Sequence, residues 1–205
     1  PPHTKTTASG PTCTASGGNG PHRRAMLLAS PRSQLLAIDL QEKMLPAVAD
    51  HYEVLRTCAW LVRLAQKVGV PVAAIEQYPR GLGPLVAEIC ELLPPGAIAA
   101  KTRFSSVGGK CLADLPGSDR GQIVIVGVES HVCVLQTALD LYHEGKEVYV
   151  VADCVGSRHP IDRELALSRM RQEGVRIVSR EMVAFEWLGE ANTPLFRAVS
   201  KEFLK

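Results

Sequence analysis

Six short apolar runs punctuate this chain: residues 34–38 (QLLAI), 70–75 (VPVAAI), 97–100 (AIAA), 122–126 (QIVIV), 147–151 (EVYVV) and 175–178 (VRIV). Each is too short for a helix and apolar at successive positions, as a strand covered on both faces must be. Segments of helical period lie near 50–68, 108–114, 131–144, 161–173, 179–188 and 193–203, and Gly69, Gly145 and Gly174 follow three of them where a helix-ending glycine belongs. Strand and helix in alternation, with short connections, predict right-handed crossovers. The expected fold is therefore α/β: one domain, three-layer α/β/α, with a doubly wound six-stranded parallel sheet.

The chain has 205 residues, enough to bury a core without disulfides or metal. Lys and Arg number 23 against 21 Asp and Glu, a net charge of +2 that gives no general drive toward nucleic acid or an anionic membrane. No apolar run has the length of a membrane span. Residues 1–25 are rich in Pro, Gly, Ser and Thr without apolar periodicity and read as a disordered N-terminal extension, with the folded domain over 26–205. Six cysteines (Cys13, Cys58, Cys90, Cys111, Cys133 and Cys154) show no CxxC spacing, the pattern of reduced thiols in a cytoplasmic protein.

In an open parallel sheet, ligands bind outside the carboxyl ends of the strands. At five of those ends stand Asp39, Glu76, Lys101, Cys133 and Asp153. Each alone has an ordinary explanation. An Asp past a strand serves as a turn or capping residue, a loop lysine is solvated, and a cysteine is most often a core thiol. Asp153, ahead of Ser157, reads best as a cap for the next helix. What raises Asp39, Lys101 and Cys133 above these readings is convergence on one rim, because carboxylate, ammonium and thiol together make a workable cysteine-hydrolase set. The lysine and the start of the helix after Cys133 are both expected to favour thiolate.

Other chemistry finds less support. His131 and Cys133 are two positions apart, so on a helix they diverge and form no dyad. No His, Cys or Asp cluster has metal-ligand spacing, and neither a GxGxxG turn nor a phosphate-binding Walker loop is present, so no metal or other cofactor is expected. Trp60, Trp187 and Met170 fall in helical segments and read as core.

Three motifs carry a family resemblance: residues 39–43 (DLQEK), 101–105 (KTRFS) and 127–137 (GVESHVCVLQT). Together they resemble the isochorismatase-like cysteine hydrolases over about residues 33–200. The segments EQYPRGLGP (76–84) and DCVGSR (153–158), followed by Asp162 and Arg163, are most similar to the isochorismatase domain-containing subgroup. The resemblance implies that Asp39 is the general base, Lys101 the triad lysine and Cys133 the nucleophile. It implies a cis peptide between Val128 and Glu129, with the amides of Glu129 and Cys133 as an oxyanion hole. It also implies a homo-oligomer, and the apolar stretch around Trp187 and Leu188 is compatible with a buried subunit contact. The Asp-x-His that holds metal in the related nicotinamidases is missing between the second strand and Lys101.

The expected function is hydrolysis of an amide-type C–N bond in a small molecule through an acyl-thioester, with Gln77, Tyr78 and Phe104 lining the pocket. The alternatives are vinyl-ether hydrolysis on the same fold and a non-catalytic binding or scaffold protein.

Overall fold

The computed structural model describes residues 27–109 and 111–204; the extension read over 1–25 lies outside them. Six parallel strands form one sheet in the order β3-β2-β1-β4-β5-β6: β1 Ser33–Ile38, β2 Val72–Gln77, β3 Ile98–Lys101, β4 Gln122–Val128, β5 Glu147–Gly156 and β6 Arg176–Val178. All six apolar runs are thus strands of the doubly wound sheet that their pattern predicts.

Alternation along the strands divides the core. Leu35, Ala37, Val124 and Val126 point to one face, where α1 (His51–Lys67), α6 (Arg180–Leu188) and α7 (Pro194–Phe203) pack. Leu36, Ile38, Ile123 and Ile125 point to the other, against α4 (Leu135–His143) and α5 (Pro160–Gln172). In α1 the buried residues Val54, Thr57, Cys58, Leu61, Val62 and Ala65 fall at three- and four-residue steps, which makes one apolar stripe. Trp187 is spent inside the molecule: it is buried, and its indole N–H donates to Ser33 Oγ at 2.9 Å, so it is not a surface for a subunit contact.

Four local expectations are corrected. Strand β2 begins after Pro71, which has no N–H to give the ladder, and runs on to Gln77. The segment 108–114 is not helical, since Gly108 and Gly109 end a single 3-10 turn (Val107–Gly109) and the described chain continues in turns. Strand β5 extends to Gly156, which places Asp153 inside it; its Oδ1 accepts from the Arg180 N–H at the start of α6 (2.9 Å) rather than capping α5. Two short helices, α2 (Pro79–Leu82) and α3 (Ala87–Cys90), occupy the connection after β2, where none is expected.

The chain moves outward from β1 through β2 to β3, then returns to the middle and moves the other way through β4, β5 and β6. The order reverses between β1 and β4, and the crevice at their carboxyl ends is where such sheets place ligands. Gly127 makes this seam possible. A Cβ there would stand 2.0 Å from the Ile38 carbonyl oxygen, and its φ of +117° is one that side chains avoid.

Candidate active site

Asp39 follows the last residue of β1 and takes a left-handed conformation (φ 55°), uncommon for a residue with a side chain. Its N–H still bonds the Ile75 carbonyl at 2.9 Å, so the turn occurs while the residue is held in the sheet. The carboxylate is fully buried, and Oδ2 accepts from Lys101 Nζ at 3.0 Å. Oδ1 is buried without a hydrogen-bond partner among the described residues.

Lys101 ends β3 with a side chain 1% exposed, and a buried ammonium requires acceptors. It has two. Besides Asp39, its Nζ donates to Gln77 Oε1 at 2.6 Å. Gln77 and Lys101 are register partners at the ends of β2 and β3. The Gln77 amide has its orientation fixed by donation from Nε2 to the Thr102 carbonyl (2.9 Å), which turns Oε1 toward the lysine. Gln41 secures Gln77 in turn: its Oε1 accepts from the Gln77 N–H (2.7 Å), and its Nε2 donates to the carbonyls of Gln77 (3.1 Å) and Gly83 (2.6 Å).

Cys133 arrives from β4. The Val128–Glu129 peptide is cis, and residues Ser130–Val134 form one π-helical turn ahead of α4; such turns recur at functional positions. Three successive side chains fasten this loop to the end of β5. Glu129 Oε2 accepts from the Arg158 N–H (2.9 Å) and Nε (3.0 Å), Ser130 Oγ donates to the Gly156 carbonyl (3.0 Å), and His131 Nδ1 lies 3.0 Å from Ser157 Oγ. His131 therefore turns away from the thiol. Cys133 Sγ lies 4.0 Å from Gln77 Oε1 and interacts with the Asp39 carboxylate and the Lys101 ammonium.

The electrostatics correct one expectation. Burial and the neighbouring Asp39 carboxylate push the Cys133 thiol up to about 12, and the lowering effect of Lys101 is outweighed. The resting sulfur is a protonated thiol, not a thiolate. Burial also raises Asp39 above the usual carboxylate range, against the pull of Lys101, which makes it a stronger base.

The pocket residues divide. Gln77 is an internal brace and not a wall. Tyr78, 53% exposed, lines a cleft of about 480 Å³ beyond the ends of β2 and β3; Phe104 is equally exposed but does not line it. Asp39, Lys101 and Cys133 are all closed from solvent, with Cys133 only 2% exposed. Val128 is buried and Glu129 nearly so, in the cis-peptide loop. Among the described residues no group of three His, Cys, Asp or Glu is placed to hold a metal ion, and no helix is long and apolar enough to cross a membrane. The residues that sequence reasoning missed are Gln41 and the bracing role of Gln77; a glutamine two positions past a strand-end Asp was the available signal.

Residues 33–182 match the isochorismatase domain model. The chain is 38% identical over 184 residues to isochorismatase domain-containing protein 2 of Xenopus laevis, covering 87% of each. Among solved structures it is similar to the MAR1 ribonuclease of Caenorhabditis elegans (33% identity, TM-score 0.78, 88% of this chain and 93% of that one). It is also similar to the YcaC gene product of Escherichia coli, described as an octameric hydrolase of unknown specificity (26% identity, TM-score 0.76, 82% and 85% covered). With the sheet order, the strand-end residues and these similarities in agreement, the chain belongs to the isochorismatase-like hydrolase family.

Proposed function

We propose that this protein hydrolyses an amide-type C–N bond in a small molecule, with Cys133 as nucleophile, Asp39 as general base and Lys101 as the cation between them. The observation that carries this reading is the buried ammonium held by both Asp39 Oδ2 and Gln77 Oε1 beside a thiol. A buried carboxylate, lysine and cysteine from three strand ends cost solvation energy that a packed apolar core would not, and such clusters concentrate at sites of chemistry.

The resting thiol meets a carboxylate whose basicity burial has raised, so proton transfer to Asp39 accompanies attack on the carbonyl carbon. Sulfur bonds to carbon, and the carbonyl π electrons move to oxygen, which the amides of Glu129 and Cys133 receive. Collapse breaks the C–N bond; Asp39 gives its proton to the departing amine. Asp39 then takes a proton from water, whose oxygen attacks the acyl-thioester. The acid leaves, and Asp39 returns the proton to the sulfur. Lys101 neither gives nor takes a proton in these steps.

The octameric relative supports a homo-oligomer. The five described cysteines, all free thiols, support a reducing compartment such as the cytoplasm. The closure of the sulfur favours a second reading, a binding or scaffold protein that keeps the fold without chemistry.

One screen separates them: amides, carbamoyl compounds and vinyl ethers offered to wild type and to Cys133→Ala, with intact-mass analysis. Amide turnover lost in Cys133→Ala, with a transient acyl mass on Cys133, supports the proposal. Turnover that survives the substitution, vinyl-ether cleavage alone, or no reaction with any class overturns it.

A further inference from the structure

The cleft beyond β2 and β3 is lined by residues 78–80 from one loop and 100–103 from the other. Its lining includes two arginines, Arg80 and Arg103, and no Asp or Glu among the described residues. Neither guanidinium has an ion-pair or hydrogen-bond partner among the described residues. Arg32, Arg56, Arg158 and Arg180 each meet a carboxylate, while Arg63, Arg169 and Arg171 meet none among the described residues, so what marks Arg80 and Arg103 is the cleft they share. Two unpaired arginines on one concave, acid-free surface leave a local positive charge for a ligand to answer.

The walls of the cleft are seated. Tyr78 has a left-handed backbone (φ 39°), and its ring lies over Gly81, where a Cβ would come within 2.3 Å of Cε1. Arg103 passes over Gly108, where a Cβ would come within 3.2 Å of its Cδ. In both loops a glycine makes room for a cleft side chain. The cleft also abuts the candidate active site through Lys101, whose ammonium holds Asp39. Two residues of chain, at most about 7 Å, separate Lys101 from Arg103, a span that one small molecule can bridge.

We infer that Arg80 and Arg103 receive an oxyanion, carboxylate or phosphate, borne by the substrate, so that the substrate class is an amide of an acidic small molecule. This rests on the hydrolase reading above. The guanidinium fork matches either anion in two parallel hydrogen bonds. The Tyr78 ring supplies a flat apolar wall for the carbon skeleton between the anion and the scissile carbonyl.

The test compares succinamate with its neutral counterpart butanamide, in wild type, in the double variant Arg80→Gln/Arg103→Gln and in the surface control Arg169→Gln. The ratio of kcat/KM for succinamate over butanamide falls at least tenfold in the double variant, mainly through KM, and holds in the control. Succinate and inorganic phosphate, compared as competitive inhibitors, identify which oxyanion fits better. An unchanged ratio, or a preference for butanamide already in wild type, overturns the inference while leaving the hydrolase reading standing. Should no amide be turned over, the hydrolase reading fails and calorimetric binding of succinate and phosphate decides the cleft by itself. Binding lost in the double variant supports the anion site; no binding, or binding that persists, overturns it.

Discussion

Gln77 Oε1 and Lys101 Nζ lie 2.6 Å apart on residues that are register partners at the ends of adjacent strands. The lysine therefore reaches Asp39 from a fixed direction, because one acceptor holds it from the side while the carboxylate holds it in front.

Removing that acceptor has two consequences. In Gln77→Met the ammonium keeps one protein acceptor in a buried site, an unsatisfied-donor cost of about 1–3 kcal/mol that urea unfolding measures. Its aim toward Asp39 also loosens. By analogy with partners that orient metal ligands, kcat on an active amide is expected to fall about 10- to 100-fold.

The thiol makes a prediction with a defined sign. With Cys133 near 12, its iodoacetamide alkylation rises about tenfold per pH unit from pH 7 to 10 without a plateau, because only the thiolate reacts. Asp39→Asn removes a charge that raises the thiol and so speeds alkylation at pH 8, while Lys101→Met slows it. In amide turnover Asp39→Asn instead loses about 10²- to 10⁴-fold, the range for a missing general base. A more reactive sulfur in a less active enzyme separates the base from a merely structural carboxylate.

The same shift sets a stability slope. Unfolding returns the thiol to its ordinary value near 9, so the unfolded chain loses this proton first. Stability from this group is fully present below pH 9 and declines as pH rises toward about 12, by up to about 1.4 kcal/mol per pH unit. Denaturant midpoints of wild type and Cys133→Ala, compared at pH 8 and pH 10.5, are expected to converge or cross as pH rises.

Acidic pH tests the base. Burial raises Asp39, so the acid limb of kcat/KM for a neutral amide lies above the ordinary carboxylate value of 3.8 and follows deprotonation of a single group. A limb at or below 3.8 would contradict the assignment.

Gly127→Ala tests the seam between β1 and β4. The added Cβ meets the Ile38 backbone at 2.0 Å, in rigid sheet with nothing flexible to yield. A loss of more than about 2 kcal/mol by chemical denaturation is expected, as for side chains forced into a conformation or space that excludes them. Gly121→Ala, where a Cβ meets nothing within 4 Å, is the control and stays near wild type.

The fold was legible because it is written in short-range pattern. Runs such as QIVIV, too short for a helix, fit a strand apolar on both faces, and the helical stretches between them supply the crossovers that parallel strands need. Local signals also located Asp39, Lys101 and Cys133 at strand ends, since topology alone puts those ends on one rim. Tertiary structure decided what the residues there do. Gln77 looked like a pocket wall and is a brace, since its role depends on an amide facing a lysine 24 positions away. The ionisation of Cys133 could not be read from its neighbours in sequence, because burial and a carboxylate from another strand outweigh the lysine. Pattern along the chain fixes which way each side chain faces; the charge that a side chain carries is set by the desolvated groups brought against it from elsewhere.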